Sequence, residues 1–210
     1  MQHNTALKVA EALLDHLQPA CSRIEIKGSI ARLKPEPKDI ELLAIPVPGK
    51  VTSGRPEFGK PLPKIYPSLL DKLLDEMEQR DELYFEKDGP RYKQLWLKYA
   101  GIAVDLFLVL PPAQWGVQAV IRTGPAEFGH WMVTRKCKGG ALPDDYLVEG
   151  GVVGERVRTE KGDARQGEIP MPEEIDFLRF CGLDWIEPKD RRPQWGNGVH
   201  AAEYAFNLGE

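Results

Sequence analysis

Asp39 and Glu41 stand two residues apart in DIELLAIP (39–46), and Asp105 stands in AVDLFLVL (103–110). Both segments have the apolar, β-branched-rich character of buried strands, which is an unusual place for acids. In a strand, residues i and i+2 project from one face. Asp39 and Glu41 are therefore predicted to point together, with Ile40 and Leu42 turned to the core. Two ionised carboxylates at close range repel, and more strongly in a half-buried site than in water. A divalent cation between them relieves that repulsion; an exposed strand face with ordinary acids avoids it. Asp105 sharpens the choice, because an acid in a central apolar strand is costly without a partner. Lys98 would be such a partner. A neighbouring strand carrying Asp39 and Glu41 would instead complete a three-carboxylate site. Hard oxygen donors without His or Cys suit Mg²⁺ or Mn²⁺.

Gly28 and Ser29 precede this pair, and Arg32 follows them by one helical turn. Gly permits close backbone approach, and a Ser opening a short helix offers N–H groups and a hydroxyl to an anion. Arg32 can bind phosphate in a bidentate way. Alone, Gly-Ser is an ordinary turn. Just ahead of Asp39, it reads as a triphosphate clamp beside a two-metal site.

The elements that must position these residues are legible from periodicity. Residues 4–18 are predicted helical, with apolar positions at Ala6, Val9, Ala10, Leu13, Leu14 and Leu17 and a cap at Asn4 or Thr5. RIEI (23–26) alternates as a strand, and DIELLAIP follows as a second. Residues 46–67 are rich in Pro and Gly, which predicts an irregular excursion. SLLDKLLDEMEQ (68–79) is predicted as an amphipathic helix capped by Ser68. Segments 83–87, 91–100 and 102–110 are separated by short links, predicting an antiparallel meander. Pro111-Pro112 is the expected domain boundary. Beyond it, helices are expected at about 113–121, from Pro125 and at 172–181, with a strand pair around 146–158. The expected class is α+β: a mixed-sheet domain over 1–111, then a small, mostly helical one over 112–210.

The chain has 210 residues and a net charge of −4, with three scattered cysteines and no CxxC. That points away from a disulfide framework and a zinc site. No apolar run approaches the ~20 residues of a membrane span, and the first residues lack a signal-peptide layout. A cytoplasmic location and no membrane partner are expected. Residues 111–210 hold 12 Lys and Arg against 16 Asp and Glu, a poor profile for strong non-specific DNA binding.

G-S-x-x-R, then D-x-E on a strand, then a distant Asp on another strand, resembles the nucleotidyltransferase superfamily. More narrowly, the chain resembles the family X DNA polymerases, the polymerase-beta-like group. Residues 1–110 are similar to their palm and 113–192 to their thumb. WGVQAVIRTGPAEF (115–128) is similar to the family segment with Thr-Gly before a nucleotide-binding helix, and EEIDFLRFCGLDWIEPKDR (173–191) to the closing helix with its Pro-x-x-Arg ending. The resemblance implies two-metal phosphoryl transfer with two Mg²⁺ ions. It makes Asp39, Glu41 and Asp105 the catalytic metal ligands, with Asp105 also activating a primer 3′-hydroxyl. It gives Gly28, Ser29 and Arg32 the β- and γ-phosphates, and Thr123 and Gly124 the sugar and base. The implied partners are a dNTP and primer-template or gapped DNA, and the implied state is a monomer.

The pattern departs from the family at several positions. Glu41 stands where most members have Asp, which implies a shift towards Mn²⁺. Ile121 and Arg122 replace the Tyr-Phe pair that discriminates sugars. Gly129 and Val133 replace an Asn and an Arg that contact nucleotide and template; His130, Trp131, Arg135 and Lys136 are the candidate substitutes, with a core role as the other reading of Trp131. No lyase segment precedes the palm, so lyase activity is not expected. Lys34, Lys38, Arg55, Lys60 and Lys64 supply modest basic character around the site and the Pro-rich stretch. Three functions stay open: a short palm-and-thumb DNA polymerase for gap filling or end extension, a template-independent nucleotidyltransferase acting on RNA, protein or a small molecule, and a catalytically idle nucleotide-binding module.

Overall fold

The computed structural model describes residues 1–52 and 64–194. Arg55, Lys60 and the middle of the Pro-rich stretch lie outside the described residues. The chain divides into two compact units, Met1–Pro111 and Pro112–Glu210. The architecture is α+β, with a mixed five-stranded sheet in the first unit.

The first unit opens with α1 (His3–Leu17), whose buried stripe is Ala6, Ala10, Leu13 and Leu17. Its cap is Gln2, not Asn4 or Thr5. The helix starts early because the His3 N–H reaches the Pro35 carbonyl at 2.9 Å, which satisfies a donor that a side-chain cap would otherwise serve. Strand β1 (Cys21–Lys27) runs into the one-turn helix α2 (Gly28–Ala31), and β2 (Asp39–Pro46) follows. The Pro-rich stretch is not wholly irregular. Strands β3 (Pro48–Thr52) and β4 (Ile65–Ser68) pair antiparallel at its two ends. Helix α3 (Leu69–Gln79) has the expected Ser68 cap, whose Oγ accepts from the Asp71 N–H at 3.1 Å. Strands β5 (Leu83–Asp88), β6 (Tyr92–Leu97) and β7 (Ile102–Leu108) form the expected antiparallel meander.

Sheet order is β1-β2-β7-β6-β5, with β2 and β7 parallel. Alternation separates the two faces. Ile40, Leu42 and Ala44 of β2, Leu95 and Leu97 of β6, and Val104 and Leu106 of β7 share one core with the apolar stripes of α1 and α3. Each of the Ile, Leu and Val side chains among these contributes roughly 1.5–3 kcal/mol on burial. The intervening residues of the same strands, Asp39, Glu41, Tyr92, Gln94 and Asp105, fall on the opposite, half-buried face. The helix-covered face also carries the buried Lys93, 5% exposed. It lies 2.9 Å from Asp71 and also pairs with Asp88.

The second unit holds α4 (Trp115–Thr123), α5 (Ala126–Val133), β8 (Tyr146–Glu149), β9 (Val152–Thr159), β10 (Gly162–Ile169) and α6 (Glu174–Phe180). The expected strand pair is in fact a three-stranded sheet, ordered β10-β9-β8. The third strand, GDARQGEI, has too few apolar residues to alternate, and it pairs along only one edge. Pro125 is the residue before α5 rather than its first helical position. Helix α6 has a reciprocal capping box between Glu173 and Asp176. Val117, Val120, Phe128, Trp131, Met132, Leu142, Val153, Phe177 and Leu178 form this unit's own core. Arg191, the end of the Pro-x-x-Arg segment, is fully buried and binds Glu174 at 2.6 Å. No helix among the described residues is long and apolar enough to cross a membrane.

Candidate active site

Parallel pairing of β2 with β7 sets Glu41 opposite Asp105 and Asp39 opposite Ala103. One sheet face thus carries all three acids. Burial raises the Asp39 pKa above the ordinary carboxylate value, and the Asp105 charge raises it further, against the opposing pull of Arg32 and Lys38. Burial also raises Glu41; the Ser29 N–H opposes this, Asp39 adds to it, and Arg32 and Asp105 act more weakly in opposite senses. The three carboxylates and the Arg32 guanidinium therefore share one field.

The β1–α2 turn adjoins Glu41. Gly28 has φ +62°, in the left-handed region, and a Cβ there would lie 1.4 Å from Glu41 Oε2. Only Gly leaves room for that carboxylate. The Ser29 N–H donates to the same oxygen at 2.9 Å. Ser29 is 9% exposed, and its Oγ has no hydrogen-bond partner among the described residues. A carboxylate of the chain itself thus occupies the position next to the Ser29 amide that an anion would take. Arg32 closes the turn as the residue after α2.

Asp105 is held from the other side. Tyr92 Oη donates to Asp105 Oδ1 at 2.8 Å, and Gln94 Nε2 donates to the same oxygen at 3.3 Å. Lys98 is not its partner; that lysine pairs with Asp81. Reading the sequence alone missed Tyr92 and Gln94. Their signal was the alternation of YKQLWL, which carries Tyr and Gln in phase with each other and out of phase with Lys93, Leu95 and Leu97.

The donor set suits a hard divalent cation in kind: three carboxylates on one face, two of them with pKa values raised partly by their neighbours. It is not closed into a cage. Among the described residues no three His, Cys, Asp or Glu side chains gather as a metal-binding group. Glu41, the longest of the three side chains, reaches back to the Ser29 N–H.

Thr123 and Gly124 belong to the second unit, where Thr123 ends α4 with 1% exposure and Gly124, φ +65°, follows it. Gly129 has a packing role: a Cβ there would meet the Ile121 backbone at 3.3 Å, so α5 can lie close to α4. Trp131 is core, 4% exposed, and its Nε1 donates to the Gly139 carbonyl at 3.1 Å. Arg135 pairs with Asp163 at 3.3 Å. Trp131 and Arg135, two of the candidate substitutes, thus have structural partners.

No protein-family model matches this chain, and no curated protein matches it.

Proposed function

We propose that the chain is a nucleotidyltransferase of the polymerase-beta-like kind, with residues 1–111 as its palm and 112–210 as its thumb. It adds dNMP from a dNTP to a primer 3′-hydroxyl on primer-template or gapped DNA. The carrying observation is the register that sets Glu41 beside Asp105, with Asp39 on the same face and Gly28-Ser29 at the edge. In the transfer, the 3′-oxygen loses its proton and bonds to the α-phosphorus. The bond from that phosphorus to the bridging oxygen breaks, and pyrophosphate leaves. Asp105 accepts the proton or orients the hydroxyl that loses it. Ser29 and Arg32 bind the leaving β- and γ-phosphates, and Thr123 and Gly124 serve the sugar and base. Asp39, Asp105 and a released Glu41 would hold Mg²⁺ or Mn²⁺. Such a cation, when bound, neutralises charge on the attacking and leaving oxygens.

A second reading is supported by the acid excess in residues 111–210 and by the structural duties of Gly129, Trp131 and Arg135. With Trp131 and Arg135 engaged in the fold, the transfer would be template-independent, to RNA, a protein hydroxyl or a small molecule. The deciding experiment is a primer-extension panel with dNTPs and NTPs, Mg²⁺ and Mn²⁺, on templated and single-stranded primers. Templated dNMP incorporation, lost in Asp39→Ala and Asp105→Ala, is expected. Base-indifferent addition, equal on both primers, would replace the polymerase reading with the second. Full activity in either alanine variant would refute the carboxylate assignment.

A further inference from the structure

We propose that Tyr92 is a positioning residue for Asp105, an assignment that rests on the nucleotidyl-transfer reading above. Antiparallel pairing of β6 with β7 puts Gln94 directly opposite Asp105 and Tyr92 opposite Phe107. Tyr92 is thus the diagonal neighbour of Asp105 on one face, a separation that an aromatic side chain spans. Its hydroxyl arrives at Oδ1 at 2.8 Å, and the Gln94 amide supports the same oxygen at 3.3 Å. Both donors fall on Oδ1, while Oδ2 has no hydrogen-bond partner among the described residues. A carboxylate tied at one oxygen cannot rotate freely about its Cβ–Cγ bond. Its second oxygen is then fixed in direction, as a monodentate ligand or proton acceptor requires.

The phenol is itself held. Its ring stacks on Phe107 with centroids 5.1 Å apart and 20° between planes, and the Lys87 ammonium lies 5.7 Å from its centroid. The choice of donor also suits the site. A Tyr hydroxyl and a Gln amide orient a carboxylate without adding positive charge, whereas an Arg or Lys there would offset the charge that attracts a cation. Partners of this kind, one step behind a ligand, commonly alter metal affinity or activity by about 10- to 100-fold when removed.

The test uses the full chain and compares wild type with Tyr92→Phe and Gln94→Leu. Tyr92→Phe keeps the ring against Phe107 and removes only the hydroxyl. Mn²⁺ affinity is measured without nucleotide, by paramagnetic resonance of the free ion, alongside kcat and KM for dNTP and a thermal melt. In Tyr92→Phe the Mn²⁺ Kd is expected to rise about tenfold and kcat to fall about tenfold, with KM for dNTP within about twofold. Gln94→Leu should move both in the same direction by less, and it decides the matter should Tyr92→Phe melt early. A lowered melting point with Kd and kcat intact in both variants, while Asp105→Asn abolishes both, overturns the positioning role and leaves the transfer reading standing. A wild-type chain that neither binds Mn²⁺ nor transfers a nucleotide overturns both.

Discussion

At the scale of single residues, Glu41 decides the state of the site. An aspartate at this place would be one methylene shorter and would stay with the other two acids. The glutamate instead folds onto Gly28 and accepts from the Ser29 N–H. A backbone hydrogen bond to a charged group is worth roughly 1.5–3 kcal/mol, so this contact competes with any cation for the carboxylate. Under the proposed function, departure of Glu41 would release two groups together: a ligand for a cation, and an amide for an anion. Cation and triphosphate binding should therefore favour each other. Mg²⁺ titration of ¹⁵N-labelled protein is expected to shift the Ser29 amide proton upfield as its carboxylate partner departs. Glu41→Asp should start near the shifted position and move little. A Ser29 resonance that stays fixed in wild type at saturating Mg²⁺ would mean that Glu41 does not take part.

At the scale of elements, β6 carries opposite duties on its two faces. Tyr92 and Gln94 serve Asp105, while Lys93 shares the helix-covered face and ties β6 to α3 through Asp71. Burial alone would lower the Lys93 pKa, but hydrogen bonds to Asp88 and Asp71 outweigh it and hold the value above the ordinary 10.5. A raised folded-state pKa stabilises the fold fully below the unfolded value, and that stabilisation is lost as pH climbs through the folded value. At neutral pH, Lys93→Met should cost about 2 kcal/mol, less than a fully buried pair because Asp88 is half in water. Urea denaturation should find the gap between wild type and Lys93→Met steady up to about pH 10 and narrowing above 10.5; a gap that stays constant there would rule out ion pairing as its source. Lys93 also marks where the sequence stopped being readable. Apolar runs made β2 and β7 plain, and Ser68 and the stripe of α3 made that helix plain. Strands β3, β4 and β10 were hidden because Pro, Gly and polar residues give no alternation. Strand periodicity alone put Asp39 and Glu41 on one face; that Asp105 joins them needed the β2–β7 pairing. The Tyr92 and Gln94 contacts needed the β6–β7 register, which no local pattern encodes, and the Glu41–Ser29 contact needed the Gly28 backbone.

At the scale of the whole molecule, the proposed cation site and the core beneath it lie in one unit. Asp39, Glu41, Asp105, Ser29, Arg32, Tyr92 and Gln94 all belong to Met1–Pro111, whose sheet and helices form a core separate from that of the second unit. A unit with its own core can in principle fold alone, and the Pro111-Pro112 pair offers a natural place to cut. A fragment of residues 1–111 should therefore melt cooperatively and bind Mn²⁺ within about threefold of the full chain, because every proposed ligand and its supports are present. It should fail to transfer nucleotides, because Thr123, Gly124 and the proposed thumb are missing. Circular dichroism melts, Mn²⁺ titration and primer extension on the fragment check the three parts separately. Should the fragment fold yet bind Mn²⁺ more than about tenfold more weakly than the full chain, part of the cation site would have to come from residues 112–210. The three-carboxylate account would then be incomplete at its centre rather than at its edge.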